Sequence, residues 1–375
     1  MRAEMLDMVR RNRLTKMKSF SKSLPVLHIR LFPAFHSRPL RGHPLPGRGL
    51  IGRCRAGASV ASLTITYTKN GENMSEKCVY ALGFFDGVHL GHGCLLKACR
   101  ELADELAVKA GVVTFSSHPD SLVSGQTPGL INTLEDRDRL LREKYRMDRI
   151  ISLPFDRTMM ETPWEDFFRR LLPEFSAAGI VCGEDFRFGH RGAGNAGKLL
   201  EACRDAGIPC IVVPQMNLGS LRISSTHIRN LIEMGLMEHA VHFLGHPHTL
   251  TGKVVHGHQL GRRLGFPTAN LLLPEELVVP KFGVYACRCL VEGKRYGAVT
   301  NVGTRPTVAG VGVTVETWIL GYEGDLYDRE ITLEFLKFLR PEIKFPSLGD
   351  LQEAVRADGE KTKEILKTFS ALQWD

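Results

Sequence analysis

The stretch Gly83-Phe84-Phe85-Asp86-Gly87-Val88-His89-Leu90-Gly91-His92 sits between an apolar run at 78–82 and a helical pattern at 94–106. A short apolar run, a glycine-containing turn and a helix, in that order, predict a parallel strand that ends at a ligand-binding loop. The same grammar repeats outward. Apolar runs at 111–115, 150–153, 180–182 and 210–213 alternate with helical patterns at 134–147, 164–172 and 195–206. Such alternation implies right-handed crossovers and a parallel sheet covered by helices on both faces, a doubly wound α/β domain.

Around His246-Pro247 the pattern changes. Apolar, β-rich runs at 250–256, 284–291, 298–303, 313–320 and 330–338 follow at close spacing, with Gly and Pro between them, and a helical stretch at 348–368 comes last. This predicts a small antiparallel β-barrel with a C-terminal helix. At 375 residues the chain exceeds one ordinary core, because single cores stop growing near ~250 residues. The expected domains are 74–245 and 246–375.

Composition narrows the function classes. With 43% hydrophobic and 24% charged residues the chain is of globular type, and it holds no uncharged apolar run of the roughly 18 residues needed to span a bilayer. The net charge of +8 is uneven: residues 1–73 hold 14 Lys/Arg against three acids, so the rest is slightly acidic. A duplex-binding surface on the folded part needs clustered cations, which argues against nucleic acid as its partner. Residues 1–73 mix Pro, Gly, Arg and Ser without periodicity and are expected to be a disordered leader. They read as an upstream extension of a start at Met74, as an organelle transit peptide, or as a functional basic arm. The nine cysteines lack framework or Cys-x-x-Cys spacing, which points to reduced thiols and a cytoplasmic protein.

The chemistry of the opening stretch follows from its residue types. Glycines let backbone approach a polyphosphate, and the helix start offers free N–H donors with a positive dipole end. His89 and His92, three apart at the helix entrance, can both reach one phosphate and stabilise the charge that develops as pyrophosphate leaves. A second element, Ile223-Ser224-Ser225-Thr226-His227-Ile228-Arg229, puts three hydroxyls at a helix cap and an arginine one turn later, suited to the β- and γ-phosphate oxygens.

The pair of elements resembles the nucleotidyltransferase superfamily, with a Rossmann-like fold. With Gly183-Glu184-Asp185-Phe186-Arg187-Phe188-Gly189, the first half resembles the adenylyltransferase half of the bifunctional riboflavin kinase/FAD synthetase family. The resemblance implies that Gly83, Phe85, Asp86, Gly87, His89, Gly91 and His92, with Ser224, Ser225, Thr226 and Arg229, hold ATP, His89 and His92 being catalytic. It also implies that Asp185, Phe186 and Phe188, with His118, contact FMN. One departure is Thr114-Phe115-Ser116-Ser117-His118-Pro119, where relatives often carry Glu-Pro before His-Pro.

In the second half, His256-Gly257-His258-Gln259-Leu260-Gly261-Arg262-Arg263-Leu264-Gly265-Phe266-Pro267-Thr268-Ala269-Asn270 resembles the flavokinase signature. Thr268 and Asn270 offer hard oxygen ligands suited to Mg²⁺ that keeps water and nucleotide phosphates. Glu316, in the alternating run 313–320, is the expected base for the riboflavin hydroxyl; pattern alone would make it the polar face of a strand, and the resemblance assigns it the catalytic role. The resemblance further implies that Gly257, Gly261, Arg262, Gly265, Pro267, Thr268, Asn270, Asn301 and Arg305 bind ATP and flavin. Gly321-Tyr322 stands where relatives often carry Asp-Phe.

The expected activity is ATP-dependent phosphorylation of riboflavin to FMN, then adenylylation of FMN to FAD. Mg²⁺ is the expected cofactor, and the expected partners are the small-molecule substrates, with no membrane and no nucleic acid; a weak homo-oligomer stays open. Two alternatives stay open as well: only one activity retained, with the altered Ser116-Ser117 segment weakening adenylyl transfer, or single-strand nucleic-acid binding through the basic arm.

Overall fold

The strand Cys78–Leu82 (β1) is buried along its whole length, as the centre of a sheet covered on both faces must be. The structure, a computed structural model, describes residues 75–123, 128–257, 261, 264–307 and 310–370. Residues 1–73, expected to be a leader, Arg262 and the side chain of Arg305 lie outside the described residues.

After β1 come helix Leu90–Glu105 (α1), Lys109–Phe115 (β2), Leu134–Glu143 (α2), Arg149–Leu153 (β3), Trp164–Glu174 (α3), Ala177–Gly183 (β4), Ala196–Asp205 (α4) and Cys210–Val213 (β5). The five strands form one parallel sheet in the order β3-β2-β1-β4-β5. The order reverses between β1 and β4, and the crevice outside their carboxyl ends is where such sheets bind ligands. Two helices follow, Ser225–Glu233 (α5) and Met237–Leu244 (α6). Gly245, at φ 72°, ends α6 in the left-handed conformation, which glycine adopts without Cβ strain.

The second sheet comprises His248–Lys253 (β6), Thr268–Leu272 (β7), Gly283–Val291 (β8), Lys294–Thr307 (β9), Gly310–Ile319 (β10) and Glu330–Arg340 (β11), in the order β6-β11-β8-β9-β10-β7. All its pairs are antiparallel. A bridge from Val255 to Asn270 brings the chain after β6 back to β7 at the other edge, curling the sheet into a barrel. Leu348–Ser370 (α7) then packs along it; its Asp358, 2% exposed, pairs with Arg340 of β11 at 2.9 Å.

The two sheets do not enclose wholly separate cores. One apolar cluster runs from Leu130 and Ile131 through Ile228, Leu231 and Leu244 to barrel residues Leu250, Tyr285, Cys287 and Phe335. Polar contacts accompany it. Leu130 N–H donates to Glu276 O (2.7 Å) and Val278 N–H to Leu130 O (2.8 Å), while Asp136 accepts from Thr251 N–H (3.1 Å) and Oγ1 (2.6 Å). At roughly 1.5–3 kcal/mol per fully buried large apolar side chain, this cluster makes the segment around residue 131 a fixed part of the fold.

Candidate active sites

The first site is built where β1 ends. Phe85 (φ 58°), Gly87 (φ 77°) and Val88 (φ 38°) turn the chain so sharply that Gly83 to His89 fold back over the sheet before α1 begins. Gly87 tolerates this; a Cβ there would lie 2.9 Å from Ile131 Cδ1. His89 caps α1, its Nδ1 accepting from His92 N–H at 3.2 Å. The two imidazoles stack at 3.6 Å between centroids, 11° from parallel, and Phe85 meets His92 edge-on at 5.2 Å.

Burial settles the charge of this pair. His89 is 6% exposed, and burial lowers its pKa to about 3. Burial, then the neighbouring His89, holds His92 well below the usual histidine value. Both are neutral N–H donors near neutral pH, and His92 Nδ1 is buried without a partner. The His89 Nδ1 bond to a donor leaves the proton on Nε2, the tautomer that donates outward.

Asp86 ties the turn down. Its carboxylate accepts from Ile131 N–H (2.8 Å) and Arg229 Nη2 (3.0 Å), and its carbonyl accepts from Ser225 Oγ (2.9 Å). Burial pushes its pKa up while Arg229 pulls it down. Ser224 caps α5, accepting from His227 N–H at 3.3 Å, and Arg229 Nη2 also lies 3.3 Å from His118 Nε2.

These residues meet around a cleft of about 460 Å³. Of the sequence candidates, Gly83, Phe85, Asp86, His89, Gly91, His92, His118, Asp185, Phe186, Ser224, Ser225, Thr226 and Arg229 line it. Gly87 and Phe188 do not. Gly87 is buried beneath the turn, and Phe188, 8% exposed, is core, packed on Phe186 (5.3 Å), Phe167 (5.6 Å) and Trp164 (6.1 Å). Sequence reading missed Arg222, whose Nη2 lies 2.6 Å from Asp185 Oδ2 across the mouth; its place directly before Ile223 was the available signal.

The second site lies on one face of the barrel. The register sets Asn270 of β7 and Asn301 of β9 on either side of Glu316 of β10, and Thr268 pairs with Trp318 two residues along. Cross-strand partners and i, i+2 neighbours share a face, so Thr268, Asn270, Glu316 and Asn301 form a polar row. A hollow of about 360 Å³ opens beside it, lined by Gly261, Phe266, Thr268, Val284, Val299, Asn301, Glu316, Trp318, Arg340, Glu342 and α7 residues Leu351 and Val355 among others. Asn301 Nδ2 donates to Glu342 Oε1 at 3.0 Å.

On the other side of Thr268 a smaller hollow of about 70 Å³ is lined by Pro267, Tyr322, Asp325 and Tyr327. Thr268 borders both hollows. Gly257 covers Asn270: a Cβ there would fall 2.4 Å from its Nδ2 and 2.8 Å from its Oδ1. Gly265, at φ 83° with open space around it, lies in a turn and does not line either hollow. The apolar walls Phe266 and Trp318, 4.7 Å apart and edge-on, were not singled out from sequence, since aromatic residues in a β-rich run signal only packing.

Comparison with known proteins agrees with this geometry. The FAD synthetase family model matches residues 71–227 and the riboflavin kinase family model matches residues 244–366. The bifunctional riboflavin kinase/FMN adenylyltransferase of Haemophilus influenzae is 35% identical over 80% of this chain and 97% of its own. That of Escherichia coli K12 is 35% identical over 77% and 93%, and that of Bacillus subtilis 31% identical over 79% and 94%. Among solved structures, a macrolide-efflux protein from Streptococcus pneumoniae superposes with a TM-score of 0.69 at 28% identity, over 77% of this chain and 94% of that one. The efflux in its name is said of that protein; among the described residues here no helix is long and apolar enough to cross a membrane. With a flavin-kinase half and an adenylyltransferase half in one polypeptide, the chain belongs to the bifunctional riboflavin kinase/FMN adenylyltransferase family.

Proposed function

We infer that this chain phosphorylates riboflavin to FMN on the barrel and adenylylates FMN to FAD at the end of the parallel sheet, in the cytoplasm, with ATP as co-substrate in both steps. The observation that carries the reading is the presence of two separate hollows, each with its own polar groups, in two different sheets. The domains meet near residue 245.

In the kinase step, the isoalloxazine ring occupies the larger barrel hollow between Trp318, Phe266 and α7, and the nucleotide lies toward Tyr322 and Tyr327. Thr268, between the two, then stands where the γ-phosphoryl group moves. Glu316 takes the proton of the riboflavin 5′-hydroxyl as its oxygen attacks the γ-phosphorus and ADP leaves. The Thr268 hydroxyl and Asn270 carboxamide, hard oxygen donors on one face, with Gly257 close against Asn270 where any larger residue would displace the carboxamide, fit Mg²⁺. That ion, when bound, offsets phosphate charge. Gly261, Asn301 and, from sequence, Arg262 and Arg305 complete the substrate contacts.

In the adenylyl step, an FMN phosphate oxygen attacks the α-phosphorus of ATP and pyrophosphate leaves. His89 and His92, neutral in the empty cleft, donate N–H bonds to the polyphosphate. The incoming anion raises their proton affinity, so their donors strengthen as negative charge builds on the leaving group. Ser224, Ser225, Thr226 and Arg229 hold the far phosphates, while Asp185, Phe186 and His118 border the flavin. Phe188 supports Phe186 from behind.

The test is to incubate the purified chain with riboflavin, ATP and Mg²⁺ and separate the flavins by chromatography. FMN and FAD are expected; accumulation of FMN alone would remove the adenylyl half of the reading.

A further inference from the structure

Arg137 of α2 is 3% exposed, and among the described residues no carboxylate pairs with it directly, Asp138 and Asp86 acting on it only through space. A guanidinium stays charged at any physiological pH, and burying one without a counter-ion is costly. Its acceptors are two carbonyls. Nη1 donates to Phe84 O at 3.0 Å and Nη2 to Phe115 O at 2.8 Å, while the guanidinium carbon lies 5.2 Å from the Phe84 ring centroid. Thr114 Oγ1 donates to the same Phe84 carbonyl at 2.9 Å.

Those two carbonyls belong to the loops that leave adjacent strands, β1 and β2, at the cleft. Phe84 opens the turn that carries Asp86, His89 and His92, and Phe115 opens the segment that carries His118; all of these except Phe115 and Phe84 themselves bear the polar groups of the cleft, and all line it. The turn is strained. Phe85 and the β-branched Val88 both have positive φ, a conformation that persists only where the surroundings impose it. The last point fixed before the strain begins is the Phe84 carbonyl, held by Arg137 and Thr114.

We propose that Arg137 is a positioning residue for adenylyl transfer, its planar fork setting the distance between the His89/His92 turn and the His118 loop so that polyphosphate and flavin phosphate meet in line. Only a two-pronged donor spans both carbonyls at once. This rests on the adenylyltransferase reading of the cleft.

The experiment compares Arg137→Lys and Thr114→Val with the unmodified full chain, using FMN, ATP and Mg²⁺ and measuring kcat and KM for each substrate, with FMN formation from riboflavin as a gauge of intact fold. A displacement of about 1 Å costs on the order of 100-fold in rate, so Arg137→Lys should lose about that in kcat for FAD formation, with KM for ATP and FMN little moved and kinase turnover kept. Thr114→Val, which removes the second grip on the same carbonyl, should fall in the same direction by about 10-fold. If both variants match the unmodified chain in kcat, or lose activity only in proportion to lost folded protein, Arg137 is a structural residue and the proposal fails. If the unmodified chain itself makes no FAD from FMN, the adenylyltransferase reading fails and the proposal falls with it.

Discussion

Asn270 and Glu316 stand directly opposite each other on the antiparallel pair of β7 and β10, and Asn301 faces Glu316 from β9 on its other side. Directly opposed residues have Cβ atoms about 5 Å apart. A carboxylate flanked by two carboxamides on a half-apolar face is therefore the arrangement on which the proposed kinase chemistry rests.

Replacing Glu316 by Gln keeps the shape of this row and removes the proposed base. A positioned general base contributes on the order of 100- to 10,000-fold, so FMN formation from riboflavin should fall by about that much while supplied FMN is still converted to FAD. Chromatography of the two reactions side by side checks it; equal loss of both would mean the sites are not independent.

His92→Ala should have the opposite effect. It removes a stacked, half-buried imidazole, the proposed N–H donor to the polyphosphate, and losing one such donor costs about 100- to 1,000-fold in kcat. FAD formation should collapse with FMN formation retained, measured with riboflavin and FMN as alternative substrates.

Gly257→Ala tests the roof over Asn270. The added methyl would sit 2.4 Å from the carboxamide nitrogen and must push the side chain aside. Kinase kcat/KM should fall by about 10-fold or more, a displacement effect of the kind that costs rate steeply, and FAD formation from FMN should be untouched. Wild-type kinase kinetics in this variant would show that Asn270 need not stay where it is.

Acid should unfold the protein early. Burial lowers the pKa of His89 to about 3 and of His248 to about 4, below the value near 6.5 of an unfolded histidine. The unfolded chain thus binds protons that the native one refuses, so stability is full above pH 6.5 and falls as pH drops toward those native values. One pH unit below the ordinary value the loss is about 1 kcal/mol per histidine, and thermal melts between pH 7.5 and 5 should show Tm falling. A flat Tm over that range would mean these imidazoles titrate normally.

Much of this was legible in the sequence because its signals are local. The strand limits 78–82 and 210–213 match the structure, and the two histidines three apart stand at a helix entrance as their spacing implied. What was hidden depends on register and burial. Strand β7 was read as a ligand motif rather than as the edge that closes the barrel. Nothing in the order of residues 270, 301 and 316 announces that they share one row, because strand pairing is set by the whole sheet. Phe188 carried a flavin-contact expectation through the resemblance, and the structure packs it against Phe167 and Trp164 at 8% exposure, a burial set by tertiary packing. Arg137 was unremarkable among the charges of α2, and only burial distinguishes it.

The proposed function places two ATP-dependent chemistries at two sites on one chain. It is tested most directly by supplying riboflavin with ATP labelled at either the α- or the γ-phosphate and following the label into isolated flavins. γ-Label is expected in FMN and, carried over, in FAD, whereas α-label is expected in FAD alone. Absence of γ-label from FMN, or of α-label from every flavin in a folded sample, would contradict it.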